Sequence, residues 1–234
     1  MTPARPTVSV VVPVLDDAEH LRVCLALLAA QSRPALEVVV VDNGCVDDSA
    51  VLARAAGARV VHEPRRGVPA AAAAGLDAAV GELLVRCDAD TRMPADWLER
   101  IVARFDADPG LDALTGPGTF HDQPGLRGQV RAALYTGAYR WGAGAAVAAT
   151  PVWGSNCALR AEAWQAVRTR VHRERGDVHD DLDLSFQLAL AGRRIRFDPD
   201  LRVEVAGRIF HSLRQRVRQG RICLLYTSPS PRDL

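Results

Sequence analysis

The sequence has no lysine: all 29 of its Lys/Arg positions are arginine. Against 28 acidic residues they leave a net charge of +1, which gives no footprint for a nucleic-acid partner or for general attraction to a membrane surface. There is no C-x-x-C. The five cysteines (Cys24, Cys45, Cys87, Cys157, Cys223) are scattered, which argues against a zinc site or a disulfide framework and fits a reducing cytosol. Long uncharged apolar runs are also missing. Val8 to Val12 is too short for a signal sequence and leads straight into Pro13. Trp141 to Trp153, the most apolar late segment, is too short to span a bilayer and is preceded by Arg140. What remains is 234 residues, enough for one large α/β domain or two small ones with a full core.

The first half alternates strand and helix signals. Val8-Ser9-Val10-Val11-Val12 is a β-branched run stopped by Pro13. Asp16 with Glu19 three residues later has the form of a capping box, ahead of Leu21, Cys24, Leu25 and Leu28 on one helical face. Glu37 to Val41 is a second strand, ending at Asp42-Asn43-Gly44. Asp47, Asp48 or Ser49 then caps a short helix that Gly57 closes. Arg59 to His62 is a third strand, and Pro69 suits the first turn of a helix over Ala70 to Val80, with Gly81 behind it. A fourth apolar run, from Leu83, ends in Asp88-Ala89-Asp90, and Pro94 starts a helix carrying Trp97, Leu98, Ile101, Val102 and Phe105. Strands this uniformly apolar, separated by helices, imply a parallel sheet covered on both faces.

Carboxylates gather where such a sheet puts a ligand. Asp16 and Asp17 follow the first strand, Asp42 the second, Asp88 and Asp90 the fourth. Each alone has a plain structural explanation, as helix cap or turn former. Together they stand at successive strand ends, where the loops of an open α/β sheet form a crevice. Hard oxygen ligands of this kind suit Mg²⁺ or Mn²⁺, which in turn suits a diphosphate, and an aspartate after the second strand can accept hydrogen bonds from a ribose or base.

The second half is less regular. Leu111 to Gly118 reads as a strand with a Gly-Pro turn, and Leu126 to Arg140 as a helix with Val130, Leu134 and Gly137 on one face. In Trp153-Gly154-Ser155-Asn156 the glycine permits close backbone approach, and Asn156 can donate and accept toward hydroxyls; a plain turn is the competing reading. In His179-Asp180-Asp181-Leu182-Asp183-Leu184-Ser185, residues Leu182, Phe186, Ala189 and Leu190 mark the buried face of a helix that Gly192 ends. Asp180 and Asp181 then lie at its N-terminus, where the helix dipole favours a carboxylate.

These stretches, in this order and spacing, resemble an inverting glycosyltransferase of family 2 with the GT-A fold. The matching segments are Val8 to Asp17, Leu21 to Gln31, Val38 to Gly44, Arg66-Gly67-Val68-Pro69, Gly75, Gly81-Glu82 and Asp88-Ala89-Asp90; the resemblance covers roughly residues 7 to 221. It implies an open, mostly parallel sheet flanked by helices. Residues 1–115 form the nucleotide-sugar-binding half, and residues 116–222 the acceptor and catalytic half of the same domain. The donor would be a nucleoside-diphosphate sugar, the acceptor a carbohydrate, a lipid-linked or a small molecule, and the cofactor Mg²⁺ or Mn²⁺. By the resemblance Pro13, Val14, Leu15, Asp17, Asp42, Arg66, Gly67, Asp88 and Ala89 contact the donor. Asp90 and Asp88 hold the metal, with His211 a candidate late ligand weighed against an ordinary surface histidine. Gly154, Ser155 and Asn156 approach sugar and acceptor, and Asp181 is the general base with Asp180 and Asp183 in support.

The sequence departs from the family in places. Ala72-Ala73 stand where members often carry Arg-Asn, so Arg65 or Arg66 is expected to compensate, or donor affinity falls. Cys45-Val46 replace small hydroxyl residues. Gln215 to Gly220 is similar to the Gln-x-x-Arg-Trp element of processive synthases, but Gln219 replaces the tryptophan and no processivity is inferred. Residues 223–234 resemble a translated adaptor more than any family element and read as a non-native or disordered tail. Two other readings stay open: a degenerate or truncated member that binds nucleotide sugar without turnover, and a sugar nucleotidyltransferase. The latter would want a Gly-rich basic loop after the first strand, where Pro13 to Asp17 has none. The expected location is cytoplasmic, at the inner face of the membrane for a longer native chain.

Overall fold

The computed structural model describes residues 5–147, 149–174 and 178–208. The apolar runs form β1 (Val8–Val14), β2 (Glu37–Asp42), β3 (Arg59–His62) and β4 (Leu83–Arg86), separated by α1 (Ala18–Ala29), α2 (Ser49–Ala55) and α3 (Val68–Ala78) and followed by α4 (Trp97–Ala107). These four strands are mutually parallel. After them come β5 (Ala113–Thr115), β6 (Gly118–Phe120), α5 (Leu126–Ala138) with a π-helical turn over Tyr139–Ala143, α6 (Gly144–Val147), β7 (Cys157–Arg160), α7 (Ala161–Val167), α8 (Asp180–Leu190), β8 (Ile195–Phe197) and β9 (Val203–Val205). The main sheet has seven strands in the order β3-β2-β1-β4-β7-β5-β8, with β7 antiparallel to both its neighbours; β6 and β9 pair apart from it.

Alternation along β1 explains why the sheet is covered on both sides. Val10, Val12 and Val14 join the cluster with Leu21, Leu25 and Leu28 of α1, and Val11 joins Val39, Val41 and the alanines of α3. The small side chains of α3 let it lie close to the sheet. A Cβ on Gly75 would fall inside van der Waals contact of Val11 Cγ1 and 2.7 Å from Val41 Cγ2. Gly75→Ala is therefore expected to destabilise the fold by about 1–3 kcal/mol, read as a lowered midpoint in urea with an unchanged slope.

Several expectations need correction. The first strand does not stop at Pro13 but runs to Val14, with Pro13 opposite Val41. Val11 O accepts from Cys87 N and Val14 O from Asn43 N, so residue 13 turns its backbone toward β4, whose pairing with β1 ends at Arg86 opposite Val11. The missing N–H of proline therefore forfeits no ladder bond. The capping box is also absent. Asp17 occupies the N-cap without a side-chain cap bond, while Asp47 Oδ2 accepts from Ala18 N (2.9 Å) and Asp16 Oδ1 from Val46 N (2.7 Å). The helix start is thus satisfied from the loop after β2 rather than locally. Val130 and Leu134 of α5 face solvent, and Gly128 and Ala132 are buried instead. On α8, Leu182 is buried as expected, but Phe186 and Ala189 are only partly buried and Leu190 is exposed, while Leu184 and Leu188 are buried instead.

Candidate active site

Beyond the C-terminal ends of β1 and β4 lies a cleft of about 460 Å³. Pro13, Val14, Leu15 and Asp17 line it from β1 and the loop that follows, Gly67, Val68 and Ala71 from the start of α3, and Arg86, Asp88, Ala89 and Asp90 from β4 and its loop. Trp153, Ser155, His179, Asp180, Asp181 and Arg208 line it from the second half of the chain. The expected donor and acceptor halves, divided at residues 115 and 116, thus both contribute to one crevice. Of the residues expected at the site, Asp42, Arg66, Gly154, Asn156 and Asp183 do not line it, and His211 lies outside the described residues.

The floor of the cleft is organised by Arg86, the last residue of β4 and only 4% exposed. Its Nη1 donates to Asp180 Oδ2 (2.5 Å) and Asp181 Oδ1 (3.0 Å), and its Nη2 lies 3.5 Å from Asp88 Oδ1. One guanidinium therefore ties the carboxylate after β4 to the pair at the N-terminus of α8. Asp181 Oδ2 also accepts from Gly154 N at 2.8 Å. A Cβ on Gly154 would sit 2.5 Å from Arg86 Cζ, so this glycine permits close approach of the backbone to the ion cluster. Ser155 Oγ donates to Asp88 Oδ2 (2.5 Å), which fixes that carboxylate's second oxygen.

Environment separates the two aspartates of α8. Burial pushes the Asp181 carboxyl up, the Asp180 charge adds to it, and together they outweigh Arg86 and bring it to about 7. Burial acts on Asp180 in the same sense, yet Arg86, His179 and the bond to Arg86 hold it below the usual carboxylate range. In the loop after β4, burial and then the Asp88 charge raise Asp90 to about 6. Arg208 partly offsets that charge: its guanidinium pairs with Asp17, and its Nε lies 3.3 Å from Asp90 Oδ2.

The other expected residues have structural posts. Asn156 is fully buried; it accepts from Trp97 Nε1 (3.0 Å) and donates to Leu201 O (2.6 Å), so both ends of its amide are used in the core. Asp183 accepts from the backbone N (2.6 Å) and ring Nδ1 (2.9 Å) of His172. Asp42 caps its own turn through Gly44 N and Cys45 N, with the His62 ring 3.5 Å away. Arg66 donates to Gly44 O, and Arg65 is paired with Glu63 and Glu174, so neither replaces the missing arginine of α3 within the cleft. The cleft's buried arginine comes from β4.

Sequence reasoning missed Arg86, Arg208, His179 and Asn43 as site residues. Asn43 accepts from Gly67 N (2.8 Å) and donates to Glu63 O and Arg65 O, setting the turn that starts α3. A charged residue inside the otherwise apolar Leu83-Leu84-Val85-Arg86 run was the available signal for Arg86.

Residues 9–176 match the family model described as Glycosyl transferase family 2. Over 113 residues the chain is 41% identical to the uncharacterized glycosyltransferase Rv0539 of Mycobacterium tuberculosis, a match covering 48% of this chain and 49% of that protein. Glycosyltransferase AglE of Haloferax volcanii is 32% identical over 124 residues, 50% of this chain and 40% of that protein. The matches thus span about half the length of these curated relatives or less. Among solved structures, the mannosyltransferase PcManGT of Pyrobaculum calidifontis, in complex with GDP-Man and Mn²⁺, superposes with a TM-score of 0.71 at 25% identity, covering 96% of this chain and 64% of that one. The open, mostly parallel sheet is therefore of the GT-A type, and the chain belongs to glycosyltransferase family 2.

Proposed function

We propose that the protein transfers a sugar from a nucleoside-diphosphate sugar to an acceptor hydroxyl with inversion, using Asp181 as general base. The observation that carries this reading is the floor of the cleft. A buried carboxyl brought to about 7 by burial and by Asp180 is held in place by Arg86 and Gly154, in one cleft with Asp88 and Asp90. In the step, the acceptor oxygen bonds to the anomeric carbon as the bond from that carbon to the diphosphate oxygen breaks. The hydroxyl proton passes to Asp181, and the nucleoside diphosphate leaves on the opposite side. Asp180, kept ionised by Arg86, disfavours a second negative charge on its neighbour and so raises the basicity of Asp181.

The donor set in the loop after β4 fits a hard divalent cation. Asp88 and Asp90 line one cleft, burial and then the Asp88 charge raise Asp90, and a guanidinium already lies against Asp90 and Asp17. Asp90 and Asp88 would hold Mg²⁺ or Mn²⁺, which when bound offsets charge on the leaving diphosphate. Leu15, Val14 and Gly67 then wall the nucleotide and Ser155 faces the sugar.

The test is release of nucleoside diphosphate from a panel of donors, starting with GDP-mannose because PcManGT was solved with it. Release is expected with Mn²⁺ and is expected to stop with EDTA. Asp90→Asn should lower it by about 10²-fold or more while leaving far-UV circular dichroism unchanged. Donor binding without turnover under any metal would favour a non-catalytic, nucleotide-sugar-binding subunit. No binding to any donor by folded protein would sink the assignment.

A further inference from the structure

The helix α5 carries its large apolar side chains on the wrong side for a core. Gly128 and Ala132 are its buried residues, with Tyr135 half-buried against the core, whereas Leu126 (76% exposed), Val130 (48%) and Leu134 (69%) follow one another at four-residue spacing on the side facing water. Trp141 in the π-helical turn is 73% exposed. Amphipathic surface helices place such residues inward. Here a second apolar stripe runs along the outer face of a helix about 20 Å long.

The charge beside that stripe is of one sign. Between Asp122 and Glu162 there is no acidic residue, while Arg127, Arg131 and Arg140 all lie on exposed positions of α5 and the turn after it. Arg131 reaches toward Gln123, and Arg140 lies over the Trp141 and Phe197 rings. An apolar face flanked by arginines is the pattern of a helix lying in a lipid interface, its apolar side among acyl chains and its cations among headgroup phosphates. A second copy of the chain is a poorer occupant, because apposing the stripe with itself would bring the arginines of the two helices together. The net charge of +1 gives the whole molecule no such attraction, so the complementarity is local to this face.

We propose that α5 seats the protein on an anionic lipid surface through Leu126, Val130 and Leu134, with Arg127 and Arg131 engaging the headgroups. The seat lies on the opposite side of α5 from Tyr135, which lines the cleft together with Phe120. The surface would thus stand about one helix diameter from the cleft wall. The binding itself does not depend on the proposed reaction.

The experiment is flotation of the full chain, without donor, on phosphatidylglycerol–phosphatidylcholine vesicles and on phosphatidylcholine alone, with sedimentation velocity run in parallel. The wild type is expected to float with the anionic vesicles and to be released by salt. Val130→Asp/Leu134→Asp and, separately, Arg127→Gln/Arg131→Gln should each weaken partitioning about tenfold or more with unchanged circular dichroism. Wild type that stays unbound, or variants that float equally well, would overturn the proposal. So would self-association in solution that the Asp variants abolish, since the face would then belong to a second copy. A transferase assay that fails while flotation succeeds removes the reaction and leaves this surface standing.

Discussion

Asp181→Asn is expected to keep donor binding and the fold and to lower turnover by about 10²–10⁴-fold, the usual contribution of a positioned base. The asparagine oxygen can accept from Gly154 N or from Arg86 Nη1 but not from both, so donor binding and circular dichroism are measured beside turnover. The pH dependence follows from the direction of the shift. Burial and the Asp180 charge raise the group to about 7, and a base works only when ionised, so wild-type kcat should climb as pH rises through about 7 and level off above it. The residual activity of the variant should lack that limb. Stability moves the other way. The folded value lies above the ordinary 3.8, so between about pH 4 and 7 the folded protein holds a proton that the unfolded chain has released. The stability this confers is present at the low end of that window and lost as pH rises through about 7. Asparagine has no proton to lose, so the Tm of the variant relative to wild type should improve between about pH 6 and pH 8. Unchanged kcat in the variant, or a pH profile that keeps its limb, would remove Asp181 from the role of base.

The N-terminal strands were legible because short, valine- or leucine-rich apolar runs between turn formers, alternating with helix signals, admit few other readings. β1 to β4 appear within a residue or two of their expected bounds. The later strands were harder. β5, β6, β8 and β9 are three residues each, too short for a period-two pattern to register, and they exist because their partners supply the pairing. Carboxylates at strand ends were readable as a group, since topology alone brings the β1 and β4 loops together. Which of them face the cleft was not. Asp42 turns onto its own loop, and Asn156, which reads as a ligand-facing amide, is held at both ends by Trp97 and Leu201, residues distant in sequence. The same limit applied to α5, where spacing correctly grouped Val130 with Leu134 but could not say that this face points outward.

Arg86 is the largest omission and makes the second strong prediction. Its partners Asp180 and Asp181 lie 94 and 95 positions away, so nothing local marks it, and Ala72-Ala73 directed attention to Arg65 and Arg66 instead. Replacing one partner of a buried ion pair leaves the other charge uncompensated, at a cost of about 3–5 kcal/mol. Arg86→Met should therefore lower stability by about that amount in urea unfolding and abolish turnover, because Asp180 loses the cation that holds it below the usual range. Arg86→Lys keeps the charge but not the fork that reaches Asp180, Asp181 and Asp88 together, so it should recover much of the stability and little of the activity. The decisive comparison is Arg86→Met/Asp180→Asn. If the guanidinium chiefly balances the acids, removing a negative charge along with it should make the double variant more stable than Arg86→Met alone. The two changes should then couple by about 1 kcal/mol or more. Additive losses would instead assign Arg86 to packing, and the aspartates at the start of α8 would need another source of positive charge.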